Sequence, residues 1–289
     1  MDPSTLRLFE AIAAFVTGAC IGSFLNVCVY RIPLERSIVS PGSHCSTCGA
    51  PIPWYHNVPV LSWLILGGRA ACCGTRIDVR YAAVELGTGL LFTALWLRFP
   101  PVDAVIYAVM CAGLITACLI DLDHFIIPDR FTLGGCVAGF IACAAHPALM
   151  GVKTPLLGFE WSFASAMIGG MSLLAIAWVG TLVFRKEAMG MGDVKFIAAI
   201  CAFLGATSTL WTVVVSSIIG AVLGLAIIAV QRGSWGTRIP YGPFLGLAAV
   251  FWLFGGDYAT HAYLDRILHI WNITHAPFVA EPGLLLVHP

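Results

Sequence analysis

An all-α, polytopic membrane protein is the fold class this sequence predicts, with about eight transmembrane helices and a small cysteine-containing insertion after the first. Three observations predict it. Of the 289 residues, 59% are hydrophobic and only 10% are charged, where a soluble domain carries roughly 25% charge. Mean hydropathy is +0.91. Several apolar runs reach the roughly 20 residues that a helix needs to cross the hydrocarbon core.

The candidate spans run over 8–30, 81–98, 103–120, 131–147, 162–184, 194–206, 209–230 and 241–256. Asp2 and Glu10 flank the lone Arg7, so the first run lacks the positive start of a cleaved signal and reads as a retained span. The sixth run is short and opens on a charged segment, which starts it at the membrane surface. Basic residues set the orientation. Arg31, Arg36, Arg69, Arg76, Arg80, Arg130, Arg185, Lys186, Lys195, Arg232 and Arg238 fall on one side, eleven of the fifteen Lys and Arg. Arg7, Arg98, Lys153 and Arg266 fall on the other. An even number of spans with both termini outside places the eleven in the cytoplasm. Net charge is zero and no basic stripe is present, which argues against nucleic acid as a partner.

The chain divides into a first helix, cytoplasmic cysteine loop and second helix over 1–98, a membrane-embedded region over 99–256, and a tail over 257–289 on the outer side. Gly18-x-x-x-Gly22 in the first span predicts close helix packing. Asn26, polar at depth, predicts a hydrogen bond to another helix. Trp54, Tyr55 and Trp63 read as loop core or interface anchors.

Charge beside a membrane span is costly and marks function. Here it gathers at two places: Leu119-Ile120-Asp121-Leu122-Asp123-His124-Phe125-Ile126-Ile127-Pro128-Asp129-Arg130, and Gly190-Met191-Gly192-Asp193-Val194-Lys195. The orientation puts both at the cytoplasmic face, so two carboxylates from different helices can meet at one depth. Peptide hydrolysis by aspartates needs such a pair: one accepts a proton from water, and the other, protonated, polarises the scissile carbonyl. Two close carboxyls share a proton because both cannot ionise cheaply. Gly190 and Gly192 let the backbone, a substrate and a neighbouring helix approach closely.

Seven ordered motifs carry a resemblance. They are Gly22-Ser23-Phe24-Leu25-Asn26-Val27 with Tyr30-Arg31-Ile32-Pro33; Cys45-Ser46-Thr47-Cys48-Gly49; Trp54-Tyr55-His56-Asn57-Val58-Pro59-Val60-Leu61-Ser62-Trp63; Arg80-Tyr81 with Val84-Glu85-Leu86; the two aspartate motifs; and Ile239-Pro240-Tyr241-Gly242-Pro243-Phe244. Over about 18–248 the sequence resembles the type IV prepilin peptidases, bacterial leader peptidases and N-methyltransferases of pilin and type II secretion systems. The resemblance implies catalysis by Asp121 and Asp193, with Asp123, Asp129 and Lys195 in supporting positions. It implies cleavage of a prepilin or pseudopilin after a glycine, between a short basic leader and an apolar helix, in the inner membrane. It further implies methylation of the new N-terminus with S-adenosylmethionine as donor. No glycine-rich donor signature stands in the sequence; Gly67-Gly68-Arg69 reads as a turn before it reads as a nucleotide contact. A peptidase without methyl transfer and an ion-coupled transporter are the rival readings. The transporter predicts inverted repeats, and none is visible.

Seven of the eleven cysteines lie in apolar spans and read as small buried hydrophobes. The other four share the first loop. Cys45-x-x-Cys48 is half of a structural zinc site, which wants four ligands. The family commonly supplies a second such pair, but aligning on Cys73-Gly74 puts Ala70 where the other cysteine belongs. Cys72 is its expected replacement, so the zinc set is Cys45, Cys48, Cys72 and Cys73. His44 and His56 stay open as substitute ligands. A disulfide is least expected in a cytoplasmic loop.

Overall fold

The computed structural model describes residues 2–186, 189–231 and 239–256, with 258–260, 262, 265 and 266 besides. The expected outer tail, and the basic residues Arg232 and Arg238, fall outside these apart from the few positions after 256. The described residues are all-α, with no strand among them. In chain order the helices are α1 (Pro3–Arg31), α2 (Leu61–Ile65), α3 (Val79–Arg98), α4 (Pro101–His124), α5 (Asp129–Ala145), α6 (Pro155–Phe184), α7 (Met191–Leu204), α8 (Thr207–Gln231) and α9 (Gly242–Phe251), the last running on into a π turn.

Each of the eight apolar segments is a helix, and only the five-residue α2 lies outside them. Boundaries differ where caps were not read. The α6 helix begins seven residues before the expected span because the Thr154 hydroxyl accepts from the Leu157 N–H and Pro155 presets the first turn. The α7 helix begins at Met191, with Gly190 as its N-cap, so Asp193 belongs to the first turn and not to the approach. Four helices, α1, α4, α6 and α8, are long and apolar enough to cross a membrane. Among the described residues the other four of the eight apolar segments, α3, α5, α7 and α9, are short or carry charge, so helix length alone does not deliver the count of eight.

Membrane helices gain little from excluding water from one another, so they associate where small residues let backbones close up. The α1–α3 pair shows this. A Cβ at Gly18 would stand 2.8 Å from the Thr88 carbonyl oxygen, and one at Gly22 would stand 2.8 Å from the Glu85 Cα. The Gly18-x-x-x-Gly22 expectation is therefore met by α3. Asn26 donates to the Tyr81 carbonyl at 3.2 Å, closing the same interface at its end.

The α7 helix is the hub. Val194, Phe196, Ile197, Ala199, Ile200, Cys201, Ala202 and Phe203 are all buried, as befits a helix apolar on every side. Gly139 of α5 and Gly169 of α6 abut it so closely that added methyls would meet Ala202 and Cys201. The outer helices instead expose large apolar side chains such as Trp161, Trp178, Leu182, Leu210 and Val222. A belt of that kind fits lipid, not water.

Candidate active site

The C-terminal end of α4 and the N-terminal end of α7 lie at the same end of the bundle. Asp121 sits in the last turn of α4 and is buried. Phe125 then adopts a left-handed conformation (φ 56°) and returns its N–H to the Asp121 carbonyl at 2.9 Å, which stops the helix. The chain turns through Ile126, Ile127 and Pro128 into α5. Asp193 takes its place through the Gly190 cap: its N–H reaches the Gly190 carbonyl at 3.2 Å. Asp121 and Asp193 line one cavity of about 240 Å³, together with Asp129, Lys195, Gly190, Gly192 and the Phe125–Ile127 turn.

A residue of the Ile239–Phe244 motif, given no role of its own by the sequence, holds the first aspartate. The Gly242 N–H donates to Asp121 Oδ2 at 3.0 Å. A Cβ at Gly242 would stand 2.7 Å from that oxygen and 3.0 Å from Ile127 Cδ1. Tyr241 fixes the approach, its hydroxyl 2.6 Å from the Ser216 hydroxyl of α8. A backbone donor has no sequence signature, so only the Ile239–Phe244 motif pointed here.

The other acids are paired. Arg80 of α3 meets Asp123 at 2.6 Å and donates to the Leu119 carbonyl at 3.3 Å, so this pair ties α3 to the end of α4. Lys195 meets Asp129 at 2.8 Å and joins the second turn of α7 to the first of α5. Gly192 lets Ile127 pack against the α7 backbone, 3.5 Å from where its Cβ would be.

The cysteine loop is built from two matching turns. Gly49 (φ 72°) returns its N–H to the Cys45 carbonyl at 2.9 Å, and Gly74 (φ 69°) does the same to Ala70 at 2.8 Å. The second turn thus has the backbone of the first with alanine at its opening position, and Cys72 swings in beside Cys73. All four sulfurs lie within 4.8 Å of one another. The Cys45–Cys73, Cys48–Cys72 and Cys72–Cys73 separations are 3.7, 3.3 and 3.8 Å. Tetrahedral Zn–S bonds of about 2.3 Å put sulfurs about 3.8 Å apart, so the four fit a divalent metal. Hydrogen bonds from the Cys48 and Thr47 backbone pull the Cys45 thiol down to about 6. Hydrogen bonding with Cys48, with partial burial and the Cys45 thiolate adding to it, pushes Cys72 up to about 12. A metal that binds all four must displace the protons still held. His44 bonds the Gly42 carbonyl and His56 packs on Tyr55; neither joins the cluster. Gly67 and Gly68 form a positive-φ turn against Trp63, whose ring lies 3.0 Å from a Cβ at Gly68. Trp63 is loop core, its indole N–H on the Ile77 carbonyl, whereas Trp54 is exposed.

The loop is fastened to the membrane helices by carboxylate and guanidinium. Glu85 of α3 accepts from the Val60 N–H at 2.7 Å, and Val60 holds a positive φ of 63°. A β-branched residue there is strained. Arg31, buried at the end of α1, donates to the Ser37 and Pro41 carbonyls.

Residues 16–99 match the family model described as the bacterial peptidase A24 N-terminal domain, and residues 108–225 match the type IV leader peptidase family. A prepilin leader peptidase/N-methyltransferase of Myxococcus xanthus is 42% identical over 216 residues, 74% of this chain and 62% of that relative, less than two thirds of its length. Enzymes of the same description from Pseudomonas putida and Pseudomonas aeruginosa are 35% and 33% identical, over 87% and 88% of this chain and 93% of each relative. No solved structure matches the chain. Similarity of that extent, joined to two aspartates on one cavity, establishes that the chain belongs to the type IV leader peptidase family.

Proposed function

We propose that this chain is an aspartic endopeptidase that removes the leader from prepilin-like precursors and then methylates the exposed N-terminus. The observation that carries the reading is the shared cavity of Asp121 and Asp193. One carboxylate takes a proton from a water between them as its oxygen attacks the scissile carbonyl. The other, protonated, donates to the developing oxyanion, and the proton taken from water passes to the leaving amine. The Gly242 N–H fixes Asp121 Oδ2, so the reacting oxygens keep their separation with little reorganisation. Asp123, Asp129, Lys195 and the two glycines hold the helix ends around this pair.

The enzyme works in the bacterial inner membrane with eight spans and the aspartates at the cytoplasmic face, where a basic leader is held by the membrane potential and anionic lipid. The substrate class is a pilin or pseudopilin precursor, cut after a glycine. The peptidase occupies 99–256, and 1–98 accompanies methyl transfer. Cys45, Cys48, Cys72 and Cys73 bind zinc that shapes the loop and takes no part in hydrolysis. S-adenosylmethionine supplies the methyl group, and donor binding is assigned to no residue.

Incubating the purified chain with a prepilin, with and without S-adenosylmethionine, tests this. Mass spectrometry should find a product lacking the leader in both, and a further 14 Da, the mass of one added methylene, only with the donor. An unmethylated product in both leaves a peptidase alone; an intact precursor overturns the reading. Zinc content is a separate expectation. Wild type should carry about one zinc per chain, Cys72→Ser should lose it on dialysis against chelator, and Cys72→Ala with Ala70→Cys should regain it by restoring the spacing of the first turn. Retention by Cys72→Ser would show that Cys72 is not a ligand.

A further inference from the structure

A second cavity, of about 170 Å³, lies beside the aspartate cavity and is lined almost wholly by apolar side chains of α4, α5 and α7. Its floor is Met110, Leu114, Phe196, Ile200 and Phe203, all buried except for its open side. Its rim includes Val109, Gly134 and Ala138, which are exposed midway along α4 and α5, so the groove opens on the side of the bundle. Two observations tie it to the catalytic centre. Asp129 and Lys195 line the aspartate cavity while their chain neighbours Arg130 and Phe196 line the groove, so the two share the first turn of α5 and the second turn of α7 as walls. The helical period also aligns them. Leu114 and Met110 lie seven and eleven residues before Asp121, and Phe196, Ile200 and Phe203 lie three, seven and ten after Asp193. At 3.6 residues per turn each set falls on one face of its helix, with Leu114 about 10 Å along the axis from Asp121.

We infer that this groove is the docking site for the apolar helical segment adjoining the scissile bond of the substrate, reached laterally from the bilayer between α4 and α5. The inference rests on the peptidase reading above. A helix seated there delivers its cytoplasmic end to the aspartates along the faces that carry them. Glycine supplies the room: a Cβ at Gly134 or Gly113 would meet nothing nearer than 4.0 Å, so a side chain can start from either position into the groove without a clash at its first carbon. Gly135 differs, since its Cβ would press on Ala199 at 3.0 Å.

The test uses the full chain in lipid nanodiscs with a prepilin that keeps its leader and whole apolar segment. In an Asp193→Asn background, the photocrosslinker p-benzoylphenylalanine at Ala138 should form an adduct with that segment. The same group at Val137, exposed on α5 but outside the groove, should not. In the otherwise wild-type chain, Gly134→Leu and Gly113→Leu should raise KM by about tenfold or more, the scale of a mismatch in an apolar pocket, while Val137→Leu should not. Equal crosslinking at Ala138 and Val137, lipid adducts alone at Ala138, or an unchanged KM in both glycine variants would overturn the groove and leave the peptidase reading standing. A wild type that cuts no precursor overturns the peptidase reading itself.

Discussion

Asp121→Asn and Asp193→Asn should each lower prepilin cleavage by about 10⁴-fold or more, the scale for removing a member of a concerted catalytic set. Asparagine keeps the shape and removes the proton chemistry. At Asp121 the amide oxygen still accepts from the Gly242 N–H, so the end of α4 keeps its tie to α9. At Asp193 the main-chain bond to Gly190 that opens α7 does not involve the side chain. Both variants should therefore accumulate in the membrane as wild type does, and loss of cleavage will report chemistry, not folding. The measurement is the ratio of processed to unprocessed precursor, by mass spectrometry, at matched enzyme levels. Normal processing by either variant removes that aspartate from the mechanism, and with it the paired-carboxylate hydrolysis.

Gly242→Ala should cost about 100-fold in kcat, with both aspartates intact, because a displacement of about 1 Å at reacting groups has that effect. The added methyl would stand 2.7 Å from Asp121 Oδ2, closer than a real Cβ contact allows, and Ile127 blocks retreat on the other side. The carboxylate must turn away and break the bond that fixes it. A Gly242→Ala enzyme with normal kcat would mean that this hydrogen bond does not orient Asp121 for catalysis. Gly220→Ala is the matched comparison, since its Cβ would meet only the Phe244 ring, at 3.1 Å.

Most of the architecture was legible because apolar runs in a chain with 10% charge leave few alternatives. That α1 packs closely on a neighbour followed from the Gly18-x-x-x-Gly22 spacing, though not that the neighbour is α3, and the two aspartate motifs stood out through the cost of charge at a membrane surface. Helix starts were less legible: Thr154 and Gly190 begin their helices by capping, which hydropathy does not register. The partners of the supporting acids could not be read either. Asp123 and Arg80 are 43 residues apart, and Asp129 and Lys195 are 66 apart, so packing alone brings them together. Cys72 shows a middle case. Its place beside Cys73 was visible, but its suitability depended on a turn that repeats the Cys45 geometry around an alanine.

The bonds that reach from α3 to the cysteine loop and to α4 have a mechanical meaning. Glu85 grips Val60 and Arg80 grips Asp123, five residues or about 7–8 Å apart on the same rod. Loop and aspartates are thus mounted on one spindle. A displacement of α3 therefore carries the cysteine loop and the end of α4 together at a fixed separation, so neither can shift without the other registering it.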